Sequence, residues 1–128
     1  MQWTLDHDNN SNLGTIVFEP ADVFRLSQLG ADLPWLSGLD PYRDRRVGAD
    51  ELPFARQDLE FALARHCVDY DRTHREPGGV AARGSQPATA HRSARALASD
   101  RTYRLLLDAI ALLRYAEALG LTIQVYGQ

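Results

Sequence analysis

The sequence SDRTYRLLLDAIALLRYAEALGLTIQVY, residues 99–126, is the most strongly patterned part of the chain and decides the fold. Ser99 can accept a hydrogen bond from a free amide of a first helical turn, and Asp100 places negative charge at the positive end of the helix dipole. Apolar residues then cover most of the helix surface up to Gly120, which can take the left-handed conformation that ends a helix. The alternation over 121–126 predicts a half-buried strand behind this helix.

The remaining chain predicts an α+β fold for a single domain, 1–128. Two β-prone runs at 2–6 and 14–18 flank a turn-rich segment, which predicts an N-terminal hairpin. We expect this hairpin and the C-terminal strand to form a small antiparallel sheet, with three main helices packed against it. From apolar spacing and end signals, those helices are predicted near 21–29, 53–69 and 100–119.

In two segments the apolar residues follow neither the spacing of a helix nor that of a strand. Residues 31–50 contain prolines and glycines, which predict an ordered loop with a turn of helix near 33–36 and with Trp35 pinned to the core. Residues 72–99 are rich in Ala, Gly, Ser, Pro and Arg, with five arginines against one acid. This leaves a net charge of +4 there and −7 over the rest of the chain. Such a segment buries too little apolar surface to offset its ordering cost, so we expect a mobile or loosely packed loop.

The length, composition and net charge of the chain exclude several classes of protein. A chain of 128 residues with 45% hydrophobic residues can build one core. It has no apolar run of the roughly 18 residues that a membrane span needs and no signal-peptide pattern, so we expect a cytoplasmic protein with no membrane partner. The net charge of −3 gives no overall case for nucleic acid. All 14 basic residues are arginines, which indicates a GC-rich bacterial genome and excludes lysine-based covalent chemistry.

The charged run at 40–46, DPYRDRR, is the candidate partner-binding site. Tyrosine and arginine contribute disproportionately to the energy of protein interfaces, so mixed charge beside an exposed tyrosine suits a contact with another protein. The residues predicted to bind the partner are Asp40, Tyr42, Arg43, Asp44 and Arg45. The alternative is a simple turn in which Asp40 caps and Arg43 pairs locally. Asp40 and Asp44 could also act as paired carboxylates, but no nucleophile motif or phosphate-binding loop accompanies them.

The run at 66–74, HCVDYDRTH, concentrates residue types that bind metals. His66 and Asp69 share a helix face, but no recognised ligand spacing is present and Cys67 points elsewhere. A Cys–His nucleophile would need His74 or His91 to reach Cys67 from a loop. We therefore predict a helix end with a buried cysteine and solvated polar groups, with no metal and no cofactor. A small metal- or thiol-dependent enzyme stays open as an alternative.

The arginines of residues 72–99 raise a further alternative, a site that grips nucleic-acid phosphates. The segment has no aromatic residue between Arg72 and Ser99 on which bases could stack. We therefore favour a solvated loop, or one that neutralises the acidic remainder of the chain.

The run Leu39-Asp40-Pro41-Tyr42-Arg43-Asp44 is followed by Phe54-Ala55-Arg56-Gln57 and, at the end, by Tyr126-Gly127-Gln128. This layout resembles small bacterial proteins with a D-P-Y-G-D-T motif, many of them uncharacterised, which are similar in size and acidity to immunity proteins that neutralise secreted toxins. Arg43 stands where the motif has glycine, and Arg45 where it has threonine. The resemblance covers about a third of the chain.

Together these features predict a non-catalytic protein that works by binding another protein. The resemblance implies that the partner is a bacterial toxin and that the chain is an immunity protein. The supporting features are the acidic body, the charged loop with Tyr42, and the lack of a recognisable catalytic set in the sequence.

Overall fold

Residues 1–6, 14–73 and 96–127 are the part of the chain that the computed structural model describes. The strands are β1 (Gln2–Asp6), β2 (Thr15–Val17), β3 (Arg45–Val47) and β4 (Thr122–Tyr126). The main helices are α1 (Pro20–Leu29), α3 (Leu52–Thr73) and α4 (Arg101–Leu119), with the short α2 (Pro34–Ser37) between the first two. Residues 96–99 are also helical. The antiparallel sheet and three main helices confirm the predicted α+β fold.

The sheet has the strand order β2-β1-β4-β3, and all its pairs are antiparallel. Trp3 of β1 lies opposite Ile16 of β2 on one side and Val125 of β4 on the other. Val47 of β3 lies opposite Ile123 of β4. The predicted hairpin and its pairing with the C-terminal strand are therefore confirmed, and β4 is an inner strand of the sheet.

The short strand β3 corrects the prediction of a loop without a strand over 31–50. Only three residues, Arg45–Val47, are extended, and two of them are arginines, so no hydrophobic alternation marks them in the sequence. Their pairing with β4, far along the chain, is what makes them a strand.

The core lies between one face of the sheet and the three main helices. The side chains of Trp3, Leu59, Leu113, Ile123 and Val125 are all completely buried there. Each buried side chain of this size contributes about 1.5–3 kcal/mol through loss of apolar surface to water. The residues that alternate with them in β1 and β4 keep part of their surface in solvent, so this side of the sheet is not part of the core.

The helix α4 has the predicted length but a different cap. Asp100 is the N-cap, and its carboxylate accepts a hydrogen bond from the backbone N–H of Tyr103 at 2.9 Å. The prediction that Ser99 would do this was therefore one residue early. Gly120 ends the helix with φ 66°, a conformation that residues with a Cβ rarely adopt.

The predicted turn of helix near 33–36 is confirmed as α2, and Trp35 is buried against the core. The helix predicted to end at 69 continues to Thr73. Most of the predicted mobile loop, residues 74–95, lies outside the described residues, as do residues 7–13 of the hairpin. None of the helices in the described ranges combines the length and apolar character that crossing a lipid bilayer requires.

Candidate protein-interaction site

The charged run at 40–46 follows α2, begins with a tight turn and ends in the first two residues of β3. The Asp40 carboxylate accepts a hydrogen bond from the backbone N–H of Tyr42 at 2.9 Å, and the backbone N–H of Arg43 donates to the Asp40 carbonyl at 3.3 Å. Arg43 Nε also lies 3.4 Å from Asp40 Oδ2, in an ion pair too exposed to add much stability. This is the local turn that the sequence left open as an alternative. Its effect is to fix the backbone that carries Tyr42.

Gly127, directly after β4, packs against the backbone of the loop. Its backbone N–H donates to Asp44 Oδ1 at 2.9 Å. A Cβ built on Gly127 would collide with the backbone of Tyr42 and Arg43, so the two segments can approach this closely only with glycine at 127. Sequence reasoning missed this role, although Gly127 directly follows the last predicted strand and belongs to the layout that carries the resemblance.

Arg45 anchors the other end of the loop. Its Nη2 donates to Glu51 Oε1 at 2.9 Å, and its guanidinium carbon lies 5.5 Å from the centroid of the Trp35 ring. Stacking of arginine on an aromatic ring is favourable, and more so where water is partly excluded. The Arg45 side chain is only 35% exposed, so its main role is to hold the loop against the core.

Of the five predicted partner-binding residues, all but Arg45 are exposed, and Tyr42 and Arg43 are the two that extend away from the loop instead of shaping its backbone. Tyr42 is 77% exposed and the Arg43 side chain is 85% exposed. Asp40 and Asp44 shape the loop, and Arg45 anchors it. Four of the five side chains have partners within the protein, since Arg43 also pairs with Asp40. That these residues bind a partner stays a prediction.

A small pocket of about 100 Å³ adjoins Tyr42. Apart from Tyr42 itself, its lining is apolar: Met1, Phe18, Pro20, Val23 and Pro41. A space of this size accepts one small apolar side chain and is too small for a typical cofactor. We call Tyr42, Arg43 and this pocket the Tyr42 surface.

His66, from the second candidate site, is a buried link between three elements. Arg25 Nη2 of α1 lies 3.1 Å from His66 Nδ1, and Asp100 Oδ2 lies 2.6 Å from His66 Nε2. Arginine can only donate, so Nδ1 accepts and Nε2 carries the proton that it donates to Asp100. Both ring nitrogens are thus engaged within the protein. Sequence reasoning missed Arg25 and Asp100 because they lie 41 and 34 residues away along the chain.

Of the described members of that cluster, Asp69 meets His66 at Arg25. The same Nη2 that lies beside His66 Nδ1 donates a hydrogen bond to Asp69 Oδ2 at 3.3 Å. Cys67 is half-buried and not fully buried as predicted. Its partial burial raises the pKa of the thiol, and the negative charge of Asp100 raises it further, which disfavours the reactive thiolate. Among the described residues, no group of three or more His, Cys, Asp or Glu is placed to hold a metal ion.

The alternatives of an enzyme and of a nucleic-acid-binding protein both depend in part on residues that the structure does not describe. His74 and His91 lie in the gap at 74–95, as do four of the five arginines of the segment at 72–99. Both alternatives stay predictions.

No protein-family model matches the chain, and neither a curated protein nor a solved structure is similar enough to count as a match. The functional assignment therefore depends on the geometry of the described residues.

Proposed function

We propose that this chain is a non-catalytic protein-binding module and that it contacts its partner through the Tyr42 surface. The observation that carries the proposal is the combination of exposure and rigidity at this loop. Tyr42 is 77% exposed, yet its backbone is held by the Asp40 carboxylate from one side and packs on Gly127 from the other.

Rigidity matters because binding normally costs the entropy of ordering the loops and side chains at an interface. A loop that is already fixed avoids much of this cost. Tyrosine and arginine are also the residue types that most often dominate binding energy, particularly beside a pocket that receives a side chain of the partner. The Tyr42 surface combines these three features.

The chemistry of the surface indicates what the partner presents. Arg43 suits a carboxylate or a backbone carbonyl, and the adjoining pocket suits one small apolar side chain. The net charge of −7 outside residues 72–99 favours association with a basic protein. With the resemblance to immunity proteins, this supports the narrower proposal that the chain neutralises a bacterial toxin in the cytoplasm.

The test uses the full chain as an affinity bait in lysate of the source organism. The variants are Tyr42→Ala and Arg43→Ala, and the matched control is Tyr115→Ala, which removes a tyrosine that is 53% exposed on α4. We expect a partner that the wild type and the control retain, and whose affinity falls by about 30-fold or more when Tyr42 is truncated, as at a hot spot of about 2 kcal/mol. Purified proteins and calorimetry give the affinities.

The toxin proposal has its own test. If the gene immediately upstream encodes a toxic protein, co-expression of the wild type and of Tyr115→Ala should restore growth, and co-expression of Tyr42→Ala should restore it less. Equal retention of the partner by Tyr42→Ala and the wild type would show that binding occurs elsewhere. If the partner binds through Tyr42 but is not toxic, the proposal of a protein-binding module stands and only the proposal of an immunity protein fails.

A further inference from the structure

The most exposed residues of α3 are uncharged over most of its length. Among residues 53–70 these are Pro53, Phe54, Gln57, Phe61, Ala64 and Val68. Charged side chains flank them: Arg65 is 41% exposed and pairs with Asp32, and Asp69 is 47% exposed and pairs with Arg25. A helix face that water covers is normally polar or charged, and 24% of the whole chain is charged. This face therefore differs from an ordinary solvated helix surface.

Three of these side chains form a regular row, which we call the α3 stripe. Phe54 is 64% exposed, Phe61 is 52% exposed and Val68 is 56% exposed. They are separated by seven residues each, so they lie on one line along the helix with only a slight drift around it. Contiguous apolar surface of this kind marks a site of interaction with another macromolecule.

The stripe borders a groove of about 390 Å³ between α1 and α3. Phe61, Ala64 and Val68 line the groove on the side of α3, and Gln28 and Leu29 line it on the side of α1. Its remaining lining is charged: Arg25, Arg65 and Asp69. Phe24, which is 65% exposed, lies one helical turn before Gln28 and so on the same face of α1. Exposed apolar side chains therefore occur on both helices, with the charged residues of the groove between them.

We propose that a second copy of this chain covers the α3 stripe, in an antiparallel two-fold pairing centred on Phe61. The stripe is complementary to itself in this arrangement, because equal steps of seven residues lead from Phe61 to Phe54 and to Val68. The two-fold axis brings the two Phe61 side chains together. It also places Phe54 of each copy level with Val68 of the other, as a symmetric interface requires.

The charge of Arg72, near the end of α3, and that of Asp50, in the turn that leads into α3, fit the same register. Arg72 lies eleven residues after Phe61 and Asp50 lies eleven residues before it, and both are exposed. The two-fold pairing therefore places Arg72 of one copy level with Asp50 of the other, which are opposite charges. A parallel pairing would instead bring Arg72 next to Arg72, and would align the two helix dipoles unfavourably.

The size of the surface predicts a weak dimer. Fourteen residues of helix are about 21 Å long, and a helix is about 10 Å wide. Even with the addition of Phe24, this is less than the roughly 800 Å² per partner of a standard stable interface. We expect monomers and dimers in exchange, with a dissociation constant between about 1 μM and 1 mM.

Sedimentation analysis of the full chain over about 10 μM to 1 mM tests the dimer, since this range brackets the expected affinity. The apparent mass of the wild type should rise from 14.3 kDa toward twice that value as the concentration increases. Phe61→Asp places two negative charges together at the axis and should weaken the dimer by at least about tenfold. The matched control, Leu107→Asp, changes a 40% exposed residue of α4 and should leave the dimer intact. Thermal melts check that both variants are folded.

A charge swap tests the register. Arg72→Asp places like charges together at both ends of the interface and should weaken the dimer. The double variant Asp50→Arg with Arg72→Asp restores opposite charges and should recover most of the affinity. A chain that stays monomeric up to about 1 mM would overturn the proposal, as would equal effects of Phe61→Asp and Leu107→Asp. A monomer that loses a different protein partner through Phe61→Asp would assign the stripe to that partner instead.

Discussion

Gly127 is the residue on which the conformation of the Tyr42 surface depends. Replacing Gly127 with alanine would force the backbone of Tyr42 and Arg43 to move, because the new methyl group would overlap it. We expect the amide chemical shifts of Tyr42 and Arg43 to change and the affinity for the partner to fall. The loss of global stability should stay at about 1–2 kcal/mol, since the affected segment lies at the surface.

The control for this variant is Gly38→Ala. A Cβ at Gly38 would lie 3.7 Å from its nearest neighbours, an ordinary contact, and the backbone there is already in the right-handed helical region. We expect it to leave the chemical shifts of Tyr42 unchanged. Unchanged shifts in Gly127→Ala as well would mean that the loop does not depend on the close approach of the two backbones.

Cys67 allows a direct check of the thiol-enzyme alternative. The thiolate is the reactive form, and burial together with the charge of Asp100 raises the pKa of this thiol. We therefore expect the folded protein at pH 8 to react with a thiol reagent several-fold more slowly than the protein unfolded in denaturant. Rapid labelling of the folded protein would contradict this and would support a reactive cysteine.

At the scale of elements, Asp22 connects the first turn of α1 to the start of α4. Its carboxylate accepts hydrogen bonds from Arg101 Nε at 3.0 Å and Nη2 at 2.8 Å, and from the backbone N–H of Glu19 at 2.8 Å. Burial alone would raise the pKa of Asp22, but these hydrogen bonds and the charge of Arg101 outweigh burial and lower it. The ionised carboxylate is therefore more stable in the folded protein than in the unfolded chain.

This lowered pKa predicts how stability depends on pH. The contribution of Asp22 is fully present above its unfolded pKa of 3.8 and is lost as the pH falls through the lower folded value. Asp22→Asn should cost about 1–2 kcal/mol at pH 7, because one hydrogen-bond acceptor is replaced by a donor facing Arg101. Urea unfolding should show this cost shrinking as the pH falls below 3.8. Asp108→Asn, which alters an exposed carboxylate on α4, is the control. A cost independent of pH would contradict the role of the charge.

The helix α2 has only four residues, and a contact with α3 explains why it forms. Asp58, buried in α3, accepts hydrogen bonds from the backbone N–H groups of Trp35 at 2.6 Å and Leu36 at 3.1 Å. These are amides of the first turn of α2 that have no partner within the helix. A neighbouring helix thus supplies the cap that the sequence around α2 lacks.

At the scale of the whole molecule, the features that could be predicted from the sequence are those that nearby residues determine. The α4 helix and β4 follow from apolar periodicity and from Gly120, and all of these signals lie within 28 residues. The strand β3 could not be predicted, because three residues become a strand only by pairing with β4. The hydrogen bonds of His66 could not be predicted either, because its partners Arg25 and Asp100 lie on other elements. The composition of residues 40–46 identified the loop that carries the Tyr42 surface. Only the fold shows that Tyr42 and Arg43 extend away from the loop whereas Arg45 holds it to the core.

The position of β4 inside the sheet also affects how the chain folds as it is synthesised. Its neighbour β1 is synthesised more than a hundred residues before β4. At about 5–20 residues per second, β1 waits roughly ten seconds for that neighbour. During this time β1 and β3 expose unpaired edges that can join the wrong strand. Folding can therefore be completed only after translation has reached residues 122–126, and until then the nascent chain would benefit from a chaperone.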